Sequence, residues 1–386
     1  MRLAIALVAL LAAAAMTHGC SSEGRDRKLS SFASSTSGAS VSASSSGGAP
    51  LGGAGGSEDC SDEGACGTET HTFSFDAPNL YFVFDASGSM LELATGKSVS
   101  RYKVVRDTAI DLVESLGPLV NVGAALFPPL AAPCSAGKET MPVTPGDAFT
   151  KKNGPTLKAF KAATSREPEG GTPTAATLEA LLPNLAKLEG RSIMLMLTDG
   201  GPNCNAALTC KPEDCMPVIE GLCKPTDGCC DPGFPGAGPL ACVDEARTVK
   251  ALEAIHALGV DVYVIGVADL AAYEDVLDAM AVAGGVPAPG STKYVQAKNL
   301  DDLGSIFAAI AASAIPCEIK LTEPPVDKGL TNVYLGCKAI PFDAVNGWSW
   351  QGDDLILLHG DACAKLKSGK VDEMKVITGC PSELPK

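Results

Sequence analysis

Histidine and clustered basic residues are what this chain lacks, and each shortage removes a class of function. Only four histidines occur in 386 residues, His18, His71, His256 and His359. None belongs to an H-E-x-x-H pair, so a zinc hydrolase of that kind has no ligands. No serine stands in G-x-S-x-G and no G-x-x-x-x-G-K-[ST] phosphate loop is present, which removes the nucleophile elbow and the P-loop. No run rich in Lys and Arg occurs, and with a net charge of −15 and a pI near 4.7 the chain shows no footprint for a nucleic-acid partner. The apolar run at residues 3–16 is too short to span a bilayer comfortably as a permanent helix.

Cysteine, by contrast, is abundant. Fifteen cysteines point to an oxidising compartment rather than a reduced cytosol. The N-terminus agrees: Arg2, the apolar run 3–16 and then Thr17-His18-Gly19-Cys20 read as a signal peptide ending at residue 20. It resembles a bacterial lipoprotein signal, with Gly19 before a Cys20 that becomes the lipidated first residue and anchors the protein in the outer membrane. Thr17 and His18 depart from the Leu-Ala/Ser usual there, so ordinary secretion is the alternative. With Cys20 acylated, the other cysteines are even in number and can all pair. Residues 21–58 are dominated by Ser, Gly and Ala, cannot bury enough surface to fold, and read as a flexible tether. Cys60 and Cys66 can close a small acidic loop behind it.

From about residue 73 the pattern changes. Buried-strand runs are predicted at 80–84, 120–127, 193–197 and 260–267, with a short one at 293–295. Helical spacing is predicted over 98–116, with Ser100 able to cap, and over 243–258, 270–282 and 300–314. A further helix follows Pro173 with Leu178, Leu181, Leu182, Leu185 and Leu188 as its apolar face, and Pro183 should kink or split it. The stretch 128–155 is rich in Pro and Gly and yields no assignment. Strands alternating with helices at this spacing predict an α/β fold, a doubly wound, mostly parallel sheet with helices on both faces.

Three stretches carry oxygen ligands at the strand exits and helix starts of that sheet, where open α/β sheets bind. The first is Asp85-x-Ser87-x-Ser89, after the apolar run 80–84. Period-two spacing aims one carboxylate and two hydroxyls the same way, a hard-oxygen set suited to Mg²⁺, Ca²⁺ or Mn²⁺ rather than zinc. Taken alone it also reads as a plain turn with a side-chain bond to its own backbone. The second is Gly170-Gly171-Thr172-Pro173-Thr174, opening a helix, where Thr172 also reads as an N-cap with Pro173 at the first helical position. The third is Thr198-Asp199-Gly200, a second carboxylate at the exit of a buried strand.

This set, in this order, resembles the metal-ion-dependent adhesion site of the von Willebrand factor A (vWA) domain, and the resemblance covers residues 73–315. It implies a vWA/Rossmann-like fold in which Asp85, Ser87, Ser89, Thr172 and Asp199 hold a divalent cation. Mg²⁺ is the first choice, with Mn²⁺ or Ca²⁺ as alternatives. In that family one coordination position is left to water or to an acidic group of a partner, and the function is binding, not catalysis. The implied partner is a protein or other surface macromolecule at the cell envelope. A structural envelope protein whose metal merely holds loops is the alternative. A hard-metal hydrolase is set aside because such chemistry wants more carboxylates around the ion.

A cysteine-rich insertion, 200–243, departs from the family. It holds Cys204, Cys210, Cys215, Cys223, Cys229, Cys230 and Cys242, with Cys134 as the expected eighth partner. Few large apolar residues accompany them, so covalent staples replace a core. A zinc knuckle fits poorly, since the spacings are not a clean pair of C-x₂-C and no His lies inside. Because the insertion leaves from the residue after Asp199, it should overhang the site and shape partner access. Residues 316–386 read as a small disulfide-bonded, β-rich antiparallel module with runs at 318–321, 332–335, 355–358 and 375–377 and with Trp348 and Trp350 in its core. Four cysteines there, Cys317, Cys337, Cys363 and Cys380, leave the pairing open. His256 reads as structural, and His359 has no visible partner in the sequence.

Overall fold

A computed structural model describes residues 69–384 except 131, 150, 268 and 269. The expected signal peptide 1–20, the tether 21–58, Cys20 and the Cys60/Cys66 loop lie outside the described residues.

Two short strands come first, β1 (Glu69–His71) and β2 (Phe73–Ser74). β3 (Asn79–Asp85) is buried at every position, and a 3-10 turn over Gly88–Leu91 leads to α1 (Arg101–Leu116). Ser100 caps α1 as expected, its hydroxyl accepting the Lys103 N–H. β4 (Asn121–Phe127), β5 (Lys138–Pro145), α2 (Pro155–Ala163), α3 (Thr174–Leu185) and β6 (Ser192–Thr198) follow. The insertion contains one helical turn, α4 (Met216–Ile219). Then come α5 (Glu245–Ala257), β7 (Val260–Gly266), α6 (Glu274–Ala283), β8 (Val295–Gln296) and α7 (Leu303–Ala314). The last part is β9 (Glu318–Leu321), β10 (Thr331–Leu335), β11 (Lys338–Ile340), β12 (Trp348–Gln351), β13 (Leu355–Leu358), α8 (Gly360–Lys367) and β14 (Met374–Thr378).

The main sheet has six strands in the order β5-β4-β3-β6-β7-β8, all parallel except β5. Its centre is apolar on both faces, which is why β3 and β6 appear in the sequence as unbroken apolar runs. Alternate side chains of β3 part company. Leu80, Phe82 and Phe84 join a cluster with Val105 and Leu112 of α1 and Phe307 of α7. Tyr81 and Val83 join another with Leu178 and Leu181 of α3 and Leu252 and Ile255 of α5. Helices therefore cover both faces of a mostly parallel sheet. β5 was not legible in the Pro-rich stretch 128–155; it is an edge strand, where Pro142 and Pro145 cost no ladder bond in the sheet interior. Pro183 does not split the helix as expected: it lies inside α3, which runs on to Leu185, and Leu188 packs on the second cluster from beyond its end.

The C-terminal strands form two four-stranded antiparallel sheets, β1-β14-β10-β11 and β12-β13-β9-β2. β1 and β2 precede the main sheet in sequence, so this module draws strands from both flanks: Glu69 pairs with Thr378 and Phe73 with Leu321. Strands of two or three residues carry no readable alternation, which hid their membership. Trp348 is fully buried, as expected, whereas Trp350 is only half-buried and packs against the edge of that core, meeting Trp348 edge-on at 5.6 Å. The helix α8 is an addition to the expected β-rich pattern. The module has no separate core, since Ile319, Trp348 and Ile356 belong to the same cluster as Leu116 of α1 and Ile315. Cys317 pairs with Cys363, and Cys337 and Cys380 are also disulfide-bonded.

In the insertion the bonds are Cys210–Cys242, Cys215–Cys230 and Cys223–Cys229, while Cys204 reaches Cys134 in the loop after β4. Four of these cysteines and Ala241 make a small cluster of their own, covered by Phe234 and Leu208.

Candidate metal centre

β3 and β6 run parallel and adjacent, so their C-terminal ends lie side by side. Asp85 is the last residue of β3, Thr198 the last of β6, and Asp199 comes next. Asp85 is completely buried. Its Oδ1 accepts the Ser87 N–H at 2.8 Å, the side-chain turn that the motif alone allows, and its Oδ2 accepts the Thr198 hydroxyl at 2.7 Å. Ser87 has extended backbone, and the 3-10 turn starting at Gly88 brings Ser89 round so that the two hydroxyl oxygens lie 3.2 Å apart. Ser89 then donates to Asp199 Oδ1 at 2.6 Å. The other Asp199 oxygen, Oδ2, accepts from Arg101 Nη1 at 2.9 Å. Asp85, Ser87, Ser89 and Asp199 therefore form one continuous polar chain across two strand ends.

Thr172 lies in the third loop of this rim and is buried. That loop is sewn to the first by two backbone bonds, Gly88 N–H to Gly170 O at 2.9 Å and Glu169 N–H to Ala86 O at 2.8 Å. It is sewn to the loop after β6 by Asn203, whose Oδ1 accepts the Thr172 N–H at 2.7 Å and whose N–H donates to Thr172 O at 2.8 Å. Behind it stands the Cys134–Cys204 disulfide. A Cβ on Gly171 would come 2.6 Å from Cys204 Sγ and 3.2 Å from Cys134 Sγ, so only glycine lets the chain pass there. Pro173, not Thr172, is the N-cap of α3, and no side chain caps that helix, so the plain N-cap reading of Thr172 does not hold. The insertion thus meets the site through its first residues, Asn203 and Cys204.

Burial pushes the Asp85 carboxyl up to about 7, with the nearby Asp199 charge adding to the rise and the bonds from Ser87 and Thr198 opposing it. Burial also raises Asp199 above the ordinary carboxylate range, against the bonds from Ser89 and Arg101. Two buried acids, of which only Asp199 is paired with a guanidinium, are short of positive charge. A divalent cation supplies it, and a donor set of carboxylate and hydroxyl oxygens fits Mg²⁺, Mn²⁺ or Ca²⁺. The residues present fit such an ion.

Arg101, Asn203 and Thr198 complete the arrangement and were not assigned from sequence. Asn203 and Thr198 stand in the same short stretch as Asp199, whereas Arg101 carries no signal beyond its place at a helix start. Elsewhere, Cys210, Cys230 and Cys242 bring their sulfurs within 4.8 Å of one another, but all three are spent in disulfides, so they supply no thiolate to a metal. A groove of about 530 Å³ lined by Val249, His256 and Val282 among others contains none of the site residues. His256 lies 3.6 Å from Asp261, and His359, without a visible partner in the sequence, sits 2.8 Å from the Ser349 hydroxyl.

No protein-family model and no curated protein matches the chain. Similar solved structures include the PilB minor pilin from Streptococcus sanguinis, at 21% identity and a TM-score of 0.41, covering 61% of each chain. The pilus adhesin SpaC from Lactobacillus rhamnosus GG, in its open conformation, is 17% identical with a TM-score of 0.43, covering 80% of this chain and 38% of that one. Manganese-loaded Plasmodium vivax TRAP protein is 14% identical with a TM-score of 0.36, covering 61% of this chain and 74% of that one. The chain spans less than two thirds of the length of the first two.

Proposed function

We propose that this is a vWA-type binding protein in which Asp85, Ser87, Ser89, Thr172 and Asp199 hold a divalent cation, Mg²⁺ before Mn²⁺ or Ca²⁺. The cation binds an acidic group of a protein or other macromolecule, and no bond is made or broken in the partner. The observation that carries this reading is the polar chain from Asp85 through Ser87 and Ser89 to Asp199, walled by the Thr172 loop. A bound cation supplies the site with an electrophile that attracts an oxygen anion. The unit doing this is the vWA-type domain at 73–315, with the module at 316–386 and its N-terminal strands as its base.

We place the protein outside the cytoplasm, held in the outer membrane by lipid on Cys20, or secreted if that residue is not acylated. The disulfides support an oxidising compartment. Among the described residues no helix is long and apolar enough to cross a membrane.

Affinity capture from cell-envelope extract tests the reading. The protein is used as bait in Mg²⁺ and in EDTA, beside Asp85→Ala. A partner retained in Mg²⁺ and released by EDTA, and never retained by the variant, is the expected result. A partner held equally in EDTA, with only the melting temperature lowered, would leave the metal a structural role.

A further inference from the structure

The site contains a charge that the sequence motif does not include. Arg101 places Nη1 2.9 Å from Asp199 Oδ2 and Nη2 2.9 Å from Glu92 Oε2. The Asp199 side chain is fully buried, that of Arg101 is 21% exposed, and that of Glu92 is 64% exposed. The Arg101–Asp199 pair therefore sits inside protein, while Glu92 faces water and is screened by it. The backbone fixes this arrangement. Arg101 is the first residue of α1, its N–H donates to Glu92 O at 2.9 Å, and Leu93 bridges to Ser100, so the loop 92–100 closes on itself and presents the guanidinium to Asp199.

Two carboxylates, Asp85 and Asp199, would neutralise a divalent cation. With Arg101 already paired to one of them, a loaded site keeps a net positive charge. We infer that Arg101 sets the ligand class of the site: it loosens the protein's hold on the bare cation and leaves that cation in need of an anionic oxygen from a partner. The inference rests on the cation-site reading and deepens it. A carboxylate partner restores neutrality, and a neutral hydroxyl or amide does not. A unit charge this close, in partly screened surroundings, changes an ion's affinity by roughly tenfold or more.

Calorimetric titration of Mn²⁺ into the metal-free protein, its Arg101→Gln variant and its Glu92→Gln variant tests this. Acetate is then titrated into each Mn²⁺-loaded protein and followed by the relaxation of water protons at the metal. Arg101→Gln should bind Mn²⁺ about tenfold more tightly and acetate about tenfold more weakly. Glu92→Gln strips the outer counter-charge from Arg101 and should move both constants the other way by a few fold. Because Glu92 is exposed, that variant keeps the question open to measurement even if Arg101→Gln fails to fold. Arg101→Lys retains the charge and should return both constants toward those of the parent. Mn²⁺ binding by the parent, with folded Arg101→Gln equal or weaker or with Glu92→Gln unmoved, would overturn the role of Arg101 and leave the cation site standing. No Mn²⁺ uptake by the parent would remove the cation site and this inference together.

Discussion

Ser89 donates its hydroxyl hydrogen to Asp199 Oδ1 at 2.6 Å, joining the loop after β3 to the loop after β6 across 110 residues of chain. Donating that hydrogen leaves the lone pairs of the Ser89 oxygen for another partner. The bond therefore holds the two loops together without consuming the oxygen that a cation would use.

Asp85→Ala and Ser87→Ala should each abolish binding of Mg²⁺ and Mn²⁺ in calorimetric titration while circular dichroism reports an unchanged fold. Asp85 receives both the Ser87 N–H and the Thr198 hydroxyl, so its loss frees the first loop as well as removing a ligand. Unchanged affinity would take these residues out of the site.

The raised Asp85 carboxyl makes stability depend on pH in a defined direction. In the unfolded chain it titrates near 3.8, and in the folded protein near 7. Between about pH 4 and pH 7 the folded, metal-free protein retains a proton that the unfolded chain has released, so stability falls as pH rises through that window. A bound cation displaces the proton, so affinity rises with pH over the same range. Melting temperatures from pH 4.5 to 7.5 in EDTA and in Mg²⁺ should diverge as pH increases, and Asp85→Asn should flatten the EDTA curve. Parallel curves in the two buffers would reject the linkage.

Gly171→Ala drives a methyl group to 2.6 Å from Cys204 Sγ. Something must shift, at a cost of about 1–3 kcal/mol, and the adjacent Thr172 shifts with it. Urea unfolding should register the loss, and Mn²⁺ affinity should fall. On a Cys134→Ser, Cys204→Ser background the wall is smaller and free to retreat, so the same substitution should cost less, which a double-mutant cycle reads directly.

Trp348→Ala removes a fully buried ring whose Nε1 donates to Ile340 O at 3.0 Å. It should lower stability by about 3–5 kcal/mol in denaturant titration. The site residues are carried by other elements, so Mn²⁺ affinity of the folded variant should match the parent. A joint loss would show that the shared core couples the module to the metal loops.

The contrast between Asp85 and Arg101 shows what could be read from the sequence. Asp85 stands where an unbroken apolar run stops, and the hydrogen-bonding demands of a buried parallel strand make that boundary plain in one dimension. Ser87, Ser89, Thr172 and Asp199 are found the same way, by their places at strand exits and a helix start. Arg101 meets Asp199 only because the 92–100 loop folds back, and no local pattern encodes a closure of that kind. The same holds for Asn203, whose side chain acts on a segment about thirty residues upstream. β5 escaped because an edge strand tolerates the prolines that argue against strand elsewhere, and β1 and β2 because two or three residues hold no period.

Phe73 lies against Leu321 and Glu69 against Thr378, so the strands that lead into the α/β unit are paired with strands that follow it. Traction applied from the N-terminal side and resisted by a captured partner would strain those short ladders before it reached β3. In a single-molecule pulling experiment the two small sheets should yield first, and the loops at the C-terminal ends of β3 and β6 should keep their shape until they have.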